Sequence, residues 1–179
     1  MQTRAECIKT YGSDYYIKQN IEAGDLYRLE KGIYSSQKDV PELAMLSFKY
    51  PNAIITMEMA YYLYELTDVV PDKYTYATDR DAAKIKDLRI KQYFQPSEFF
   101  EDGISSINYY GYDLKIYSRE RMLIELIRHK TKLPFDYYKE LILSYRKILP
   151  SLNIQTVQDL AIVAPKSSYI LKTLQLEVF

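Results

Sequence analysis

Gly24 stands between two incompatible periodicities, and this junction limits what the chain can fold into more than any other feature. Before it, GSDYYIKQNIEAG places Ile17 and Ile21 four residues apart, the spacing of one face of a helix. After it, DLYRLEKGIYSS alternates about Lys31-Gly32, the pattern of two short strands joined by a tight turn. Glycine adopts the left-handed backbone that ends a helix without steric penalty, so the helix is expected to stop there. Ser13 is placed as the N-cap of that helix, its hydroxyl accepting a free backbone N–H. A shorter helix is expected over 3–11, TRAECIKTY, with Ala5, Ile8 and Cys7 toward one side and Gly12 as its stop. The spacing therefore predicts helix, helix, hairpin, with Ile8, Ile17, Ile21, Leu26 and Leu29 buried together.

The polar stretch Ser35 to Val40, followed by Pro41, reads as a linker, which divides the chain into a unit at 1–38 and a second at 41–179. In the second, PELAMLSFKY is expected as a helix, NAIIT as a buried strand and MEMAYYLYEL as a helix. KYTYATD and IKQYF are expected as strands on either side of a charged stretch, and ISSINYYGYDLKIYS as a hairpin turning at Tyr110-Gly111. Ser118 is an N-cap, and from there the pattern is helical: RERMLIELIRHK, PFDYYKELILSYRKI and two short helices from about Thr156 and Ser168. The fold class is α+β, with a small N-terminal helix–helix–hairpin unit packed on a mixed domain that ends in helices. About 40 residues rarely sustain a core alone, so the first unit is expected to lean on the helix that begins near Pro41.

Composition excludes more than it identifies. The 24 basic and 24 acidic side chains cancel, so no global field draws the protein to nucleic acid or membrane. A single cysteine, Cys7, excludes an internal disulfide and points to a reducing compartment. No apolar run reaches the roughly 18 residues that a membrane span needs, and the N-terminus lacks a signal-peptide apolar region. The 20 tyrosines without a tryptophan suit a core, a base-stacking surface or an interface alike.

Catalytic signatures are thin. The lone histidine, His129, lies between Arg128 and Lys130 and reads as a helix-end residue. No CxxC or HExxH spacing occurs, so neither a metal nor another cofactor is expected. Gly12-Ser13 followed by Asp25-Leu26-Tyr27 echoes the spacing of a nucleotidyltransferase metal site, but Tyr27 stands where the second carboxylate belongs. The chain is read as a non-enzyme.

For nucleic acid the pattern is richer. With Ile17 and Ile21 inward, Tyr15, Lys18, Gln19 and Glu22 lie on the outer face of the second helix. Lysine holds phosphate, glutamine reads an adenine edge and tyrosine bonds either. Arg28 and Lys31 on the hairpin would reach the adjacent backbone as a wing does. The candidate DNA-binding residues are thus Tyr15, Lys18, Gln19, Arg28 and Lys31, although residues 1 to 40 hold six basic and six acidic side chains. A second basic patch, Arg80, Lys84, Lys86 and Arg89, lies in a stretch from Lys73 to Lys91 with six basic residues against Asp79, Asp81 and Asp87. Charge runs of this kind are usually solvated faces.

Three stretches together resemble the antitoxins of AbiE-type abortive-infection toxin–antitoxin modules. EAGDLYRLEKGIYSS is similar to the end of that family's winged helix, where a glycine closes the helix and a basic hairpin ends in Gly-aliphatic-Tyr. AIITMEMAYYLYELTDVVPDKYTYAT resembles the opening of the family's second domain, with Glu58, Ala60, Leu66, Thr67 and Pro71 in step. DLKIYSRERMLIELIR is similar to its strand and Glu-Arg helix start, with Glu125 where aspartate is usual. One helix precedes the recognition helix here where a full winged helix has two. The resemblance implies a cytoplasmic bacterial antitoxin that represses its own promoter and counters a nucleotidyltransferase toxin. With only three basic side chains on the candidate surface, promoter binding is expected to need a dimer or cooperativity on an inverted repeat. The alternative is a protein-interaction module that does not bind DNA and whose second domain acts through a protein or RNA partner.

Overall fold

The computed structural model describes all 179 residues. Its elements are β1 (Gln2–Thr3), α1 (Arg4–Tyr11), α2 (Asp14–Ala23), β2 (Tyr27–Glu30), β3 (Ile33–Ser35), α3 (Glu42–Lys49), β4 (Ile54–Ile55) and α4 (Met57–Leu63). There follow β5 (Tyr74–Asp79), β6 (Ile90–Gln95), α5 (Ser97–Phe100), β7 (Ile104–Tyr109), β8 (Tyr112–Tyr117), α6 (Arg119–Arg128), α7 (Phe135–Ile148), α8 (Ile154–Val163) and α9 (Ser167–Glu177). The class is α+β, with an N-terminal helix–helix–hairpin and C-terminal helices. Two compact units emerge: residues 1–51 with 109–112, and residues 52–108 with 113–179. The helix α3 falls in the first of these, where Lys49 on α3 pairs with Glu30 on β2 at 2.7 Å.

In the first unit Cys7, Ile17, Leu26 and Tyr34 form the core, with Ile8, Tyr11 and Ile21 packed against it. Gly24 takes the left-handed conformation, φ +83°, and Asn20 accepts the N–H groups of Gly24, Asp25 and Leu26 as the chain leaves the helix. Two expectations need correction. Ser13 sits at the N-cap of α2 with extended backbone, but its hydroxyl makes no cap bond. Leu29 is only half-buried and lies outside the core cluster. The strand register slips between Arg28 and Glu30, a bulge that interrupts the alternation, and Ile33 and Tyr34 are buried side by side instead.

The second unit is built on a five-stranded sheet of order β6-β5-β4-β8-β7. Four consecutive residues of β5, Thr75 to Thr78, are buried, so both of its faces are covered. β5 runs antiparallel to β4 but parallel to β6, and the chain must return along the sheet through residues 80–89 to make that pairing. The β7–β8 hairpin turns at Tyr110 and Gly111, both at positive φ, +50° and +85°. Two positive φ values match the right-handed twist of the flanking strands.

Helix α6 is the centre of the second unit and packs against α4, α7, α8 and α9. Every residue from Arg121 to Ile127 is buried, two charged ones included. The Arg121 guanidinium donates from Nε to Glu125 Oε1 at 3.0 Å and from Nη1 to the Phe99 carbonyl at 2.6 Å. Its plane lies 3.4 Å from the centroid of the Phe99 ring and 4.3 Å from that of Tyr117. Glu125 further accepts from Gln95 at 3.1 Å and from Arg128, with His129 Nε2 at 3.4 Å. His129 is thus the C-cap of α6 and a neighbour of this buried carboxylate.

Tyrosine hydroxyls reach backbone carbonyls throughout this unit: Tyr61 to Met122, Tyr64 to Tyr117, Tyr117 to Phe100 and Tyr145 to Arg119, at 2.6–3.2 Å. Each fills core volume with a ring while its tip satisfies an acceptor. Core packing therefore accounts for several of the tyrosines that composition left open.

Burial pushes the Glu125 carboxyl up, but the His129 hydrogen bond and the charges of Arg128 and Arg121 outweigh it and hold it at about 2, against an ordinary 4.5. A carboxyl depressed on folding stabilises the protein above its unfolded pKa and loses that contribution as pH falls toward the folded one. Urea unfolding at pH 7 and at pH 3 is expected to show Glu125→Gln destabilised at neutral pH and less sensitive to acid than the parent. Equal pH dependence of the two proteins would count against this account.

Candidate nucleic-acid interface

The local sequence explains how α2 is presented. Thr3 closes a capping box on α1, accepting the Glu6 N–H while the Glu6 carboxylate accepts the Thr3 N–H. Gly12, at φ +92°, and Ser13 then turn the chain directly into α2. β1 pairs with β3 and β3 with β2, so a three-stranded sheet of order β1-β3-β2 backs the two helices. The Arg4 N–H donates to the Gly32 carbonyl at 3.0 Å and ties the hairpin turn to the start of α1. Nothing in the periodicity signals β1, because a two-residue strand is too short to show alternation.

The predicted residues of this unit are all exposed: Tyr15, Lys18, Gln19 and Arg28, and Lys31 at the hairpin turn. Tyr15 and Gln19 are also joined: Gln19 Nε2 donates to the Tyr15 hydroxyl at 2.9 Å. That bond uses one N–H of the amide and leaves the other N–H and the oxygen for a further partner. Sequence reasoning missed Tyr16, which is half exposed and meets the Tyr15 ring edge-on at 5.5 Å between centroids. Its signal was present, since it lies off the Ile17–Ile21 face.

Ion pairing shows what the charge count hides. Arg4 pairs with Asp14, Lys18 with Glu22 at 3.7 Å, and Lys49 with Glu30 at 2.7 Å. Within the strands the one carboxylate, Glu30, is therefore engaged, and Arg28 and Lys31 have no ion-pair partner, with Asp25 just before β2 the nearest other acid in sequence. The Lys18–Glu22 pair is long and exposed, so phosphate can displace it at little cost.

The second basic stretch belongs to the other unit and occupies the return from β5 to β6. There Arg80 lies 3.8 Å from Asp81, and Arg89 pairs with Asp87 at 2.7 Å, while Lys84 and Lys86 are exposed. The Gln92 amide holds this segment, accepting from the Ile85 N–H at 2.8 Å and donating to the Thr78 hydroxyl at 2.7 Å. Two of its four cations are thus bound to acids of the same segment, the arrangement of a solvated crossover.

No protein-family model matches the chain, and a search of curated proteins finds no match. No helix is long and apolar enough to cross a membrane.

Because Lys18, Arg28 and Lys31 are exposed and outside the core, replacing all three by alanine is expected to leave folding intact, within about 0.5 kcal/mol per site. Thermal unfolding by circular dichroism measures this, and a large drop in Tm would assign one of the three a structural role.

Proposed function

We propose that the protein is the antitoxin of a bacterial toxin–antitoxin module and represses its own operon by binding promoter DNA through the first unit. The observation that carries this reading is the outer face of α2, where Tyr15, Lys18 and the tyrosine-bonded Gln19 stand exposed in the same unit as a hairpin bearing Arg28 and Lys31. A helix–turn–helix enters the major groove with its second helix while a flanking segment holds the backbone. Gln19 supplies the amide edge that pairs with adenine, Lys18 and Tyr15 contact phosphate, and Arg28 and Lys31 hold the neighbouring strand. The resemblance of the three stretches to AbiE-type antitoxins extends the reading to the cytoplasm and to a nucleotidyltransferase toxin as the antagonist.

Charge limits the strength of such a contact. Three basic side chains neutralise about three phosphates, which gives a log–log salt slope of about −3 per monomer. Two copies on an inverted repeat double the contact, so binding is expected to require a dimer on adjacent half-sites. The competing reading, a protein-interaction module with no DNA contact, draws on the engaged pairs Arg4–Asp14 and Lys18–Glu22, which leave α2 with little net charge.

Anisotropy titration with the operon's own promoter at low and moderate salt separates the two. Lys18→Ala is expected to weaken binding to all sequences alike, and Gln19→Ala to reduce discrimination by about 1–3 kcal/mol at one base pair. The Lys18, Arg28, Lys31 triple alanine variant is expected to abolish binding. Absence of binding at low salt, or equal binding by the triple variant, would favour the interaction module.

A further inference from the structure

A cleft of about 700 Å³ opens in the second unit, lined by the loop before β5 and by the approach to α7. Val69 and Val70 from the loop meet Leu133 and Tyr137 as its apolar lining, and the two valines are 54% and 67% exposed. Adjacent aliphatic side chains left open in a concave surface give an apolar body a place to be buried. The volume falls within the roughly 300–1,000 Å³ that holds a small organic molecule.

The polar groups in the cleft choose the sign of that molecule. Glu58 and Lys91 cancel, paired at 2.6 Å, with the Tyr93 hydroxyl also donating to Glu58 at 3.0 Å. Glu140 has no cation against it there: it accepts from the neutral Thr67 hydroxyl at 2.8 Å. Asp72 and Asp136 are exposed on the rim, and Lys73 is the only other cation there. The cleft therefore carries an excess of carboxylate. Burial first, and then the nearby Glu58 and Glu140, push the Tyr137 phenol up, so its hydroxyl stays neutral.

We propose that this cleft binds a small organic cation, an apolar body bearing an ammonium or guanidinium group. The apolar lining takes the body, and Asp72, Asp136 and Glu140 take the charge. The site is independent of the DNA-binding reading, and its success or failure leaves that reading untouched.

The test uses the full chain and three probes of one carbon skeleton: 4-phenylbutylammonium, 4-phenylbutanol and 4-phenylbutanoate, followed by amide chemical shifts in two-dimensional NMR. The ammonium is expected to shift the amides of residues 69–73 and 133–137 saturably. It is expected to bind about fivefold more tightly than the alcohol, the factor that one charge pair near 4 Å gives in water. The carboxylate is expected to bind most weakly. Asp136→Asn, an exposed substitution, is expected to remove part of that fivefold from the ammonium, Asp72 and Glu140 keeping the rest, and to leave the alcohol unchanged. Equal affinity for ammonium and alcohol, tighter binding of the carboxylate, or no saturable shift at these residues would overturn the proposal.

Discussion

The buried charges on α6 govern the geometry of the second unit. Taking a guanidinium and a carboxylate out of water costs several kcal/mol each, and their attraction repays it only when hydrogen bonds satisfy what remains. Arg121 and Glu125 meet that condition through groups drawn from separate parts of the chain: Gln95 at the end of β6, the Phe99 carbonyl on α5, the Tyr117 ring at the end of β8, and Arg128 one turn on. One nitrogen, Arg121 Nη2, has no hydrogen-bond partner. The aromatic faces of Phe99 and Tyr117 cover the guanidinium plane and supply part of what that nitrogen lacks. A small misplacement of any partner would strand a buried charge, so the cluster specifies position more than it adds stability.

This requirement reaches into the backbone. Gly103 adopts φ +74°, and a Cβ there would come within 2.7 Å of the Arg121 Cβ. Only glycine satisfies both the conformation and the space. The Gly103 carbonyl also accepts the Ser118 N–H at 2.8 Å, beside the Ser118 hydroxyl that caps α6 through the Arg121 N–H at 3.2 Å. Cap, glycine and guanidinium thus form one local device that sets where α6 begins. At α4 the device is different. Thr75 on β5 accepts the Met59 N–H at 2.9 Å, so a strand residue satisfies a donor in the first turn that the N-cap Thr56 side chain leaves open.

The two units divide their work differently between core and surface. The first spends its few buried residues on holding α2 against a small sheet, which leaves the outer face of that helix free of structural duty. The second buries charged residues and tyrosine rings at its centre and leaves Val69 and Val70 open in a cleft. Function proposed for the first unit rests on exposed polar groups, and that proposed for the second rests on a concave surface. The two proposals draw on independent physics.

Much of the fold was legible because local rules act within a few residues. Gly24 ended α2 and Ser118 capped α6 where their conformational preferences put them, and the turns at Lys31-Gly32 and Tyr110-Gly111 followed from the same logic. The outer face of α2 was legible too, because Ile17 and Ile21 set its inner face by periodicity alone. What escaped depended on partners far away in the chain. The bulge at Leu29 exists because β2 must pair with β3 at a given register, and no pattern within β2 records that. The parallel pairing of β5 with β6 makes a crossover of residues 80–89, which composition alone presented as a basic patch. Above all, the helical pattern of RERMLIELIR gives no hint that Arg121 and Glu125 lie inside, for charged residues on an amphipathic helix normally face water. Sequence by itself determined most of the longer elements and the inner face of α2 through short-range sterics and periodicity; tertiary structure alone decided which charges are buried, since only distant groups brought together can offset their desolvation.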